Sequence, residues 1–231
     1  MSAGLLLGGL AALAAFATLH CGAASAAEGR LYPSGPPNGV AYLRFVNMAP
    51  HEVTIVSPAA KIAIPADEAH RVLEFDPVTP GVTLTGSAQL GESTKPIDLK
   101  LVPNEFVTVA VSADGPDGVA LTVFREVPAD FNALKSSVAL FNLDKACAAA
   151  QLVSGDNHMS VIPDVAPGAI GRRLVNPVNA ELAASCGDPA QAVDTKLGQL
   201  SAGERYSIFV IAGPSGREVV AARDEQALFR P

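Results

Sequence analysis

The chain has 231 residues, 49% of them apolar and 17% charged, with 20 Gly and 18 Pro. This composition excludes collagen-like and disordered chains and fits either one large all-β domain or two domains of about 100 residues each. Net charge is −7, from 16 basic and 23 acidic residues with no basic cluster, so the chain cannot neutralise phosphates; nucleic acid is excluded as a partner and any long polyanion is disfavoured.

The chain opens on a targeting segment. Residues 1–27 hold no Asp, Glu, Lys or Arg. The apolar run from Leu5 to Leu19 is too short for a membrane span of about 20 residues. Ala23-Ala24-Ser25-Ala26-Ala27 follows as an A-x-A cleavage pattern, so 1–27 is expected to be a signal peptide cut near Ala26 or Ala27. The rivals are a lipoprotein anchor at Cys21, although His20 is bulky for that position, and a retained N-terminal anchor. In an oxidising compartment Cys147 and Cys186 form an even pair. The expectation is a disulfide; a metal or redox pair is the alternative, without a CxxC or a His at ligand spacing to support it.

Short strands then follow almost throughout. Val40–Asn47, Glu52–Ser57, Lys61–Ile64, Ala69–Phe75, Val82–Gly86, Ile97–Leu101, Phe106–Val111 and Val119–Phe124 alternate or carry β-branched runs. Asp114-Gly115-Pro116-Asp117-Gly118 reads as a hairpin turn. The pattern pauses over Glu126–Lys135 and resumes at Ser137–Leu143, Ala149–Val153, Ser160–Ile162, Arg172–Val175, Val178–Leu182, Val193–Leu197, Tyr206–Ile211 and Glu218–Ala222. Glu181–Cys186 supplies at most a short turn of helix. Spacings of roughly 8–12 residues predict an all-β fold of two tandem β-sandwich domains, jelly-roll or Ig-like, over 28–127 and 128–231. Phe45-Val46-Asn47 and Phe141-Asn142 each close a first strand, as a duplication would produce.

Catalytic equipment is sparse. There is no G-x-S-x-G elbow; Gly213-Pro214-Ser215-Gly216 is one residue short and sits in a turn. Beyond the leader the histidines are His51, His70 and His158, no two of them at metal-ligand spacing. Ser154-Gly155-Asp156-Asn157-His158 holds the residue types of a hydrolase block but reads as a polar hairpin turn. No cofactor or metal site is expected. Trp is absent, and Tyr42 and Tyr206 sit in apolar strands, leaving Tyr32 as the one platform for stacking on a sugar, so polymer binding is expected to be weak or absent.

Leu31-Tyr32-Pro33, Pro36-Pro37-Asn38-Gly39-Val40-Ala41 and Arg44-Phe45-Val46-Asn47 resemble the start of mature AlgF, the alginate O-acetylation accessory family. Leu140-Phe141-Asn142-Leu143 and Arg173-Leu174-Val175-Asn176-Pro177-Val178 resemble later segments of it. The resemblance spans residues 31–212 and implies a periplasmic, two-β-domain adaptor without an active site. Its implied partners are a membrane-bound O-acyltransferase and periplasmic acetyltransferase proteins. Similar accessory proteins accompany cellulose-acetylating systems, so the polymer is alginate or a related one. The rival functions are an acetyl-transfer or esterase enzyme, using Ser154, His158, His51 or His70, and a glycan-binding module.

An adaptor works through a surface. Tyr32, Pro33, Pro36 and Pro37 form an extended segment suited to a sheet edge. Arg44 and Asn47 come next, weighed against a solvated Arg on an outer face and an Asn capping a turn. Arg172 and Arg173 could pair with an acidic surface, although adjacent residues on a strand point to opposite faces.

Overall fold

The computed structural model describes residues 39–115, 117–128, 131–155, 158–179, 181–213 and 216–227. The expected signal peptide, Cys21 and the segment Tyr32–Pro37 lie outside those residues.

Among the described residues sixteen strands follow one another: β1 Ala41–Asn47, β2 Val53–Val56, β3 Lys61–Ile64, β4 Asp76–Val78, β5 Thr83–Leu90, β6 Ser93–Lys100, β7 Phe106–Asp114, β8 Gly118–Glu126, β9 Ser136–Asn142, β10 Ala150–Ser154, β11 Met159–Val165, β12 Ile170–Val175, β13 Leu182–Cys186, β14 Val193–Asp194, β15 Arg205–Gly213 and β16 Gly216–Arg223. They form four sheets, ordered β4-β1-β7-β8, β3-β2-β5-β6, β12-β9-β15-β16 and β11-β10-β13-β14. Adding eight to each strand number of the first pair of sheets gives the second pair, so the chain is two copies of one eight-strand sandwich. Even the parallel pair recurs, β1 with β7 and β9 with β15.

The duplication extends to single side chains. Asn47 ends β1 and donates from Nδ2 to the carbonyls of His51 (2.8 Å) and Ile64 (2.9 Å), while its Oδ1 accepts from the Ala49 amide. Asn142 ends β9 and donates to the carbonyls of Cys147 (2.8 Å) and Val165 (2.9 Å), its Oδ1 accepting from the Asp144 amide. Ile64 and Val165 are the last residues of β3 and β11. In both halves a buried amide therefore ties the strand of one sheet to the edge strand of the other, satisfying carbonyls that burial would otherwise leave unpaired.

The two sheets containing β1 and β9 face each other, and the other two lie outside them. On β1 and β7, Leu43, Val107, Val109 and Val111 pack into the first half's own core, whereas Val46 and Ala110 pack against Ala139, Phe141, Phe209 and Ile211 of the second half. Strands covered on both faces carry near-continuous apolar runs. This explains Phe106–Val111, which is buried throughout.

Cys147 and Cys186 form the expected disulfide, Cα to Cα 5.5 Å, joining the loop after β9 to the end of β13. Among the described residues no helix is long and apolar enough to cross a membrane.

Four local expectations need correction. Ala69–Phe75 is not a strand: Asp67 Oδ1 accepts from the amides of Ala69 (3.2 Å) and His70 (3.1 Å), which curls the chain into a turn. Arg71 then binds the carbonyls of Asn47 (2.8 Å) and Ala49 (2.9 Å), Val72 and Phe75 make only isolated bridges to Val46 and Gln226, and the continuous strand begins at Asp76. The Ala-rich Glu181–Cys186 favours helix locally, but Leu182–Cys186 pairs with β10 and is tied by the disulfide, so tertiary context overrides propensity. The strand expected at Val178–Leu182 thus lies at Leu182–Cys186. Val193–Leu197 shortens to Val193–Asp194.

Candidate functional site

The junction between the halves is apolar at one end and ionic at the other. At the apolar end Phe124 meets Phe141 edge-on, ring centroids 5.1 Å apart, and Phe141 stacks on Phe209 at 4.7 Å.

At the ionic end the contacts of Arg44 with Asp224 and Ser207, and of Arg172 with Glu126, cross between the halves. Arg44 leaves the middle of β1 on the face that meets the second half. Its Nη1 lies 2.8 Å from Asp224 Oδ1, its Nη2 donates to Ser207 Oγ at 2.6 Å, and its Nε donates to Thr108 Oγ1 at 3.0 Å. The guanidinium carbon sits 4.1 Å from the Phe75 ring centroid. Glu126, last residue of β8, receives both prongs of Arg172, Nε to Oε1 at 2.7 Å and Nη2 to Oε2 at 2.9 Å; Arg172 Nη1 donates to Ser137 Oγ at 3.0 Å. Arg205, first residue of β15, lies beside both pairs, its Nε 3.9 Å from Asp224 Oδ2.

Burial and charge compete here. Burial pulls the Arg44 guanidinium below its ordinary range, and Asp224 opposes the fall. Burial alone would raise the Asp224 carboxyl, yet Arg44, Arg172 and Arg205, with the Ser207 hydroxyl, hold it below the usual carboxylate range. Burial brings Arg205 down to about 10, with the neighbouring Arg172 adding to the fall. Three guanidiniums thus share two carboxylates, and the network keeps its members charged inside the protein. The cluster couples the two halves through buried, paired charges.

The sequence-predicted residues divide accordingly. Arg44 is 1% exposed and Asn47 0%, so both side chains lie inside the fold and not on its surface. The outward, solvated Arg44 is corrected: the second half covers the face that a lone sandwich would leave in water. Asn47 does bond within its turn, as the capping alternative had it. Arg172 and Arg173 do point to opposite faces; Arg172 is spent on Glu126, while Arg173 is exposed and donates to the Val161 carbonyl at 2.9 Å. Tyr42 and Tyr206 are buried. His51, His70 and His158 are exposed on separate turns, and His70 pairs with Asp67 at 2.6 Å. Ser154 and His158 flank the β10–β11 hairpin, where Gly155 takes φ +66°. Among the described residues no cluster of three His, Cys, Asp or Glu could hold a metal ion.

Sequence reading missed Glu126, Arg205 and Asp224. Asp224 lies 180 residues from Arg44, so no local pattern joins them. The available sign was a charge in an apolar strand, Arg44 within β1 and Arg205 opening β15. It missed also the connector after β8, whose Val127, Phe131 and Leu134 are exposed. Leu134 is 72% exposed, high for a leucine.

A duplicated, all-β, two-sandwich protein with its halves joined through a buried ionic junction is the class that this geometry defines. No family model matches the chain. The alginate biosynthesis protein AlgF of Pseudomonas aeruginosa is 30% identical over 196 residues, covering 84% of this chain and 83% of that protein. AlgF of Pseudomonas fluorescens is 29% identical over 205 residues, 88% of this chain and 87% of its own length. The chain belongs to the AlgF family. A solved structure of the C-terminal domain of AlgF from P. aeruginosa is 27% identical and spans 39% of this chain and 98% of its own, with a TM-score of 0.33.

Proposed function

We propose that this chain serves alginate or related exopolysaccharide biosynthesis as a periplasmic, non-catalytic adaptor for polymer O-acetylation, bridging a membrane O-acyltransferase and periplasmic acetyltransferases. The observation that carries the reading is the likeness to AlgF proteins along most of both chains. The junction supports it physically. An adaptor must hold two docking surfaces at a fixed spacing, and halves joined by Arg44–Asp224 and Arg172–Glu126 do not swing freely. The exposed Val127 and Leu134 on the connector are the first candidates for a docking surface, as large apolar side chains left in water close together in the chain.

The test is capture of proteins from periplasmic extract by residues 28–231, with acetyl-ester hydrolysis and binding to purified polymer measured in parallel. The adaptor predicts capture of acetyltransferase components, no hydrolysis and no firm polymer binding, with capture weakened by V127S/L134S. Turnover, or polymer binding without captured proteins, would overturn it in favour of the enzyme or glycan-binding reading.

A further inference from the structure

The two halves of the repeat differ at one mouth of the sandwich. With Asn47 and Asn142 aligned, Leu43 pairs with Asp76 where Val138 pairs with Arg173, and Ile55 pairs with Ile62 where Leu152 pairs with Ile162. In the second half the edge strands β11 and β12 meet. A Cβ on Gly171 would collide with Ile162 and Val165, and Arg173 Nη1 donates across the mouth to the Val161 carbonyl at 2.9 Å. In the first half the counterparts β3 and β4 stand on either side of an open cleft. Ile62 is accordingly 38% exposed, against 4% for Ile162. The cleft holds about 400 Å³ and is walled by Leu43, Phe45, Ile55, Leu73 and Leu84, within the range of about 300–1,000 Å³ found for binding pockets.

Two features say what fits there. The charge at the mouth is reversed. Asp76 shares the inward face of the sheet with its partner Leu43, at the position of Arg173, but a carboxylate cannot donate to the carbonyl opposite as Arg173 does. Partial burial alone raises the Asp76 carboxyl, with no cation beside it among the described residues. The β3 edge is also unpaired, since β3 ends its sheet. The Ser57 amide donates to the Ala60 carbonyl at 2.8 Å, which sets the phase of the β2–β3 hairpin. Ile62 therefore bonds back to Ile55, whereas Lys61 and Ala63, both exposed, turn their backbone N–H and C=O away from β2. Strand β4 is less suited to pairing, because Pro77 at its centre has no N–H.

We propose that the β3 edge receives an extended segment of a partner protein, which pairs with Lys61 and Ala63, directs alternate aliphatic side chains past Ile62 into the cleft, and sets a lysine or arginine against Asp76. Main-chain bonds to a free edge supply affinity in this mode, and the pockets for alternate side chains supply selectivity. The inference rests on the adaptor reading for the source of the segment, a protein, and it names a site apart from the connector that carries Val127 and Leu134.

The test titrates residues 28–231 with a capped seven-residue peptide, threonine alternating with isoleucine, valine and arginine, and follows the Lys61 and Ala63 amides and the Ile62 methyls by NMR. Saturating shifts at all three residues are expected, with Kd below about 1 mM, part of the affinity being lost in ordering the peptide. A peptide with glutamate in place of arginine should bind at least twofold more weakly, and Asp76→Asn should remove that difference, as for an exposed ion pair. Ala63→Pro deletes an outward N–H while leaving the bonds to β2, and should weaken the peptide at least tenfold; Asp76→Asn, at an exposed site, covers the case in which that variant does not fold. Octylamine, an aliphatic cation without a backbone, should leave the Lys61 and Ala63 amides in place. Absence of saturation would overturn the proposal and leave Asp76 as a charge that keeps the edge unpaired. Octylamine matching the peptide, or shifts of the same amides with protein concentration alone, would overturn it in favour of a small amphiphile or a second copy of the chain. None of these readings depends on capture of acetyltransferase components, so this proposal and the adaptor reading fail separately.

Discussion

Removing the Asp224 carboxylate strands the fully buried Arg44. Asp224→Asn keeps the volume and one acceptor oxygen but removes the charge opposite Arg44 Nη1 at 2.8 Å, and with it the nearer of the two carboxylates flanking Arg205. Breaking a buried pair by deleting one partner costs about 3–5 kcal/mol. Against a total stability of about 5–15 kcal/mol, that is a large share. Arg44→Met should cost somewhat less, since Asp224 keeps Arg172 at 4.0 Å and Arg205 at 3.9 Å as compensating charges. The double variant Arg44→Met/Asp224→Leu removes both charges and should return to within about 1–2 kcal/mol of the parent, because a buried pair replaced by apolar groups is often neutral. Urea unfolding of all four proteins, read as midpoint and slope, gives the cycle. The slope carries a second reading: the parent should unfold in one transition, and Asp224→Asn should begin to separate the halves. Single substitutions costing under about 1 kcal/mol, or strictly additive effects, would refute the picture of a buried, coupled junction.

Three further outcomes are expected. Asp224 has its folded pKa below the unfolded value, so its contribution is complete above about pH 4 and is lost as pH falls through the folded value; acid unfolding should show this loss, and Asp224→Asn should flatten it. Cys147→Ser/Cys186→Ser should lose about 3–4 kcal/mol, the chain-entropy value for a bridge across 39 residues, by urea unfolding in oxidising buffer. Asn47→Ala and Asn142→Ala should each cost more than about 2 kcal/mol and by similar amounts, because each strands two buried carbonyls at equivalent places in the repeat.

Strand positions were legible where side chains alternate or branch at Cβ. Lys61–Ile64 is one such case, and Phe106–Val111 another. The sequence also displayed the repeat, in two asparagines closing two first strands, and the cysteine pair. What it concealed came from long range. A lone sandwich has a wet outer face, so Arg44 in β1 reads as solvated; only the second half, arriving some 100 residues later, turns that face into an interior. The partners of Arg44 and Arg172 are separated from them by 180 and 46 residues, and no spacing rule connects such positions. Helix propensity misled at Glu181–Cys186 for the same reason, since pairing with β10 and the bridge to Cys147 decide that segment.

The adaptor account is tested most directly by deleting the gene and measuring acetyl esters per sugar on the exported polymer by NMR. The account predicts polymer that is still exported but has lost nearly all its acetyl groups, with restoration by the intact chain. Polymer that keeps its full acetyl content without this protein would contradict it.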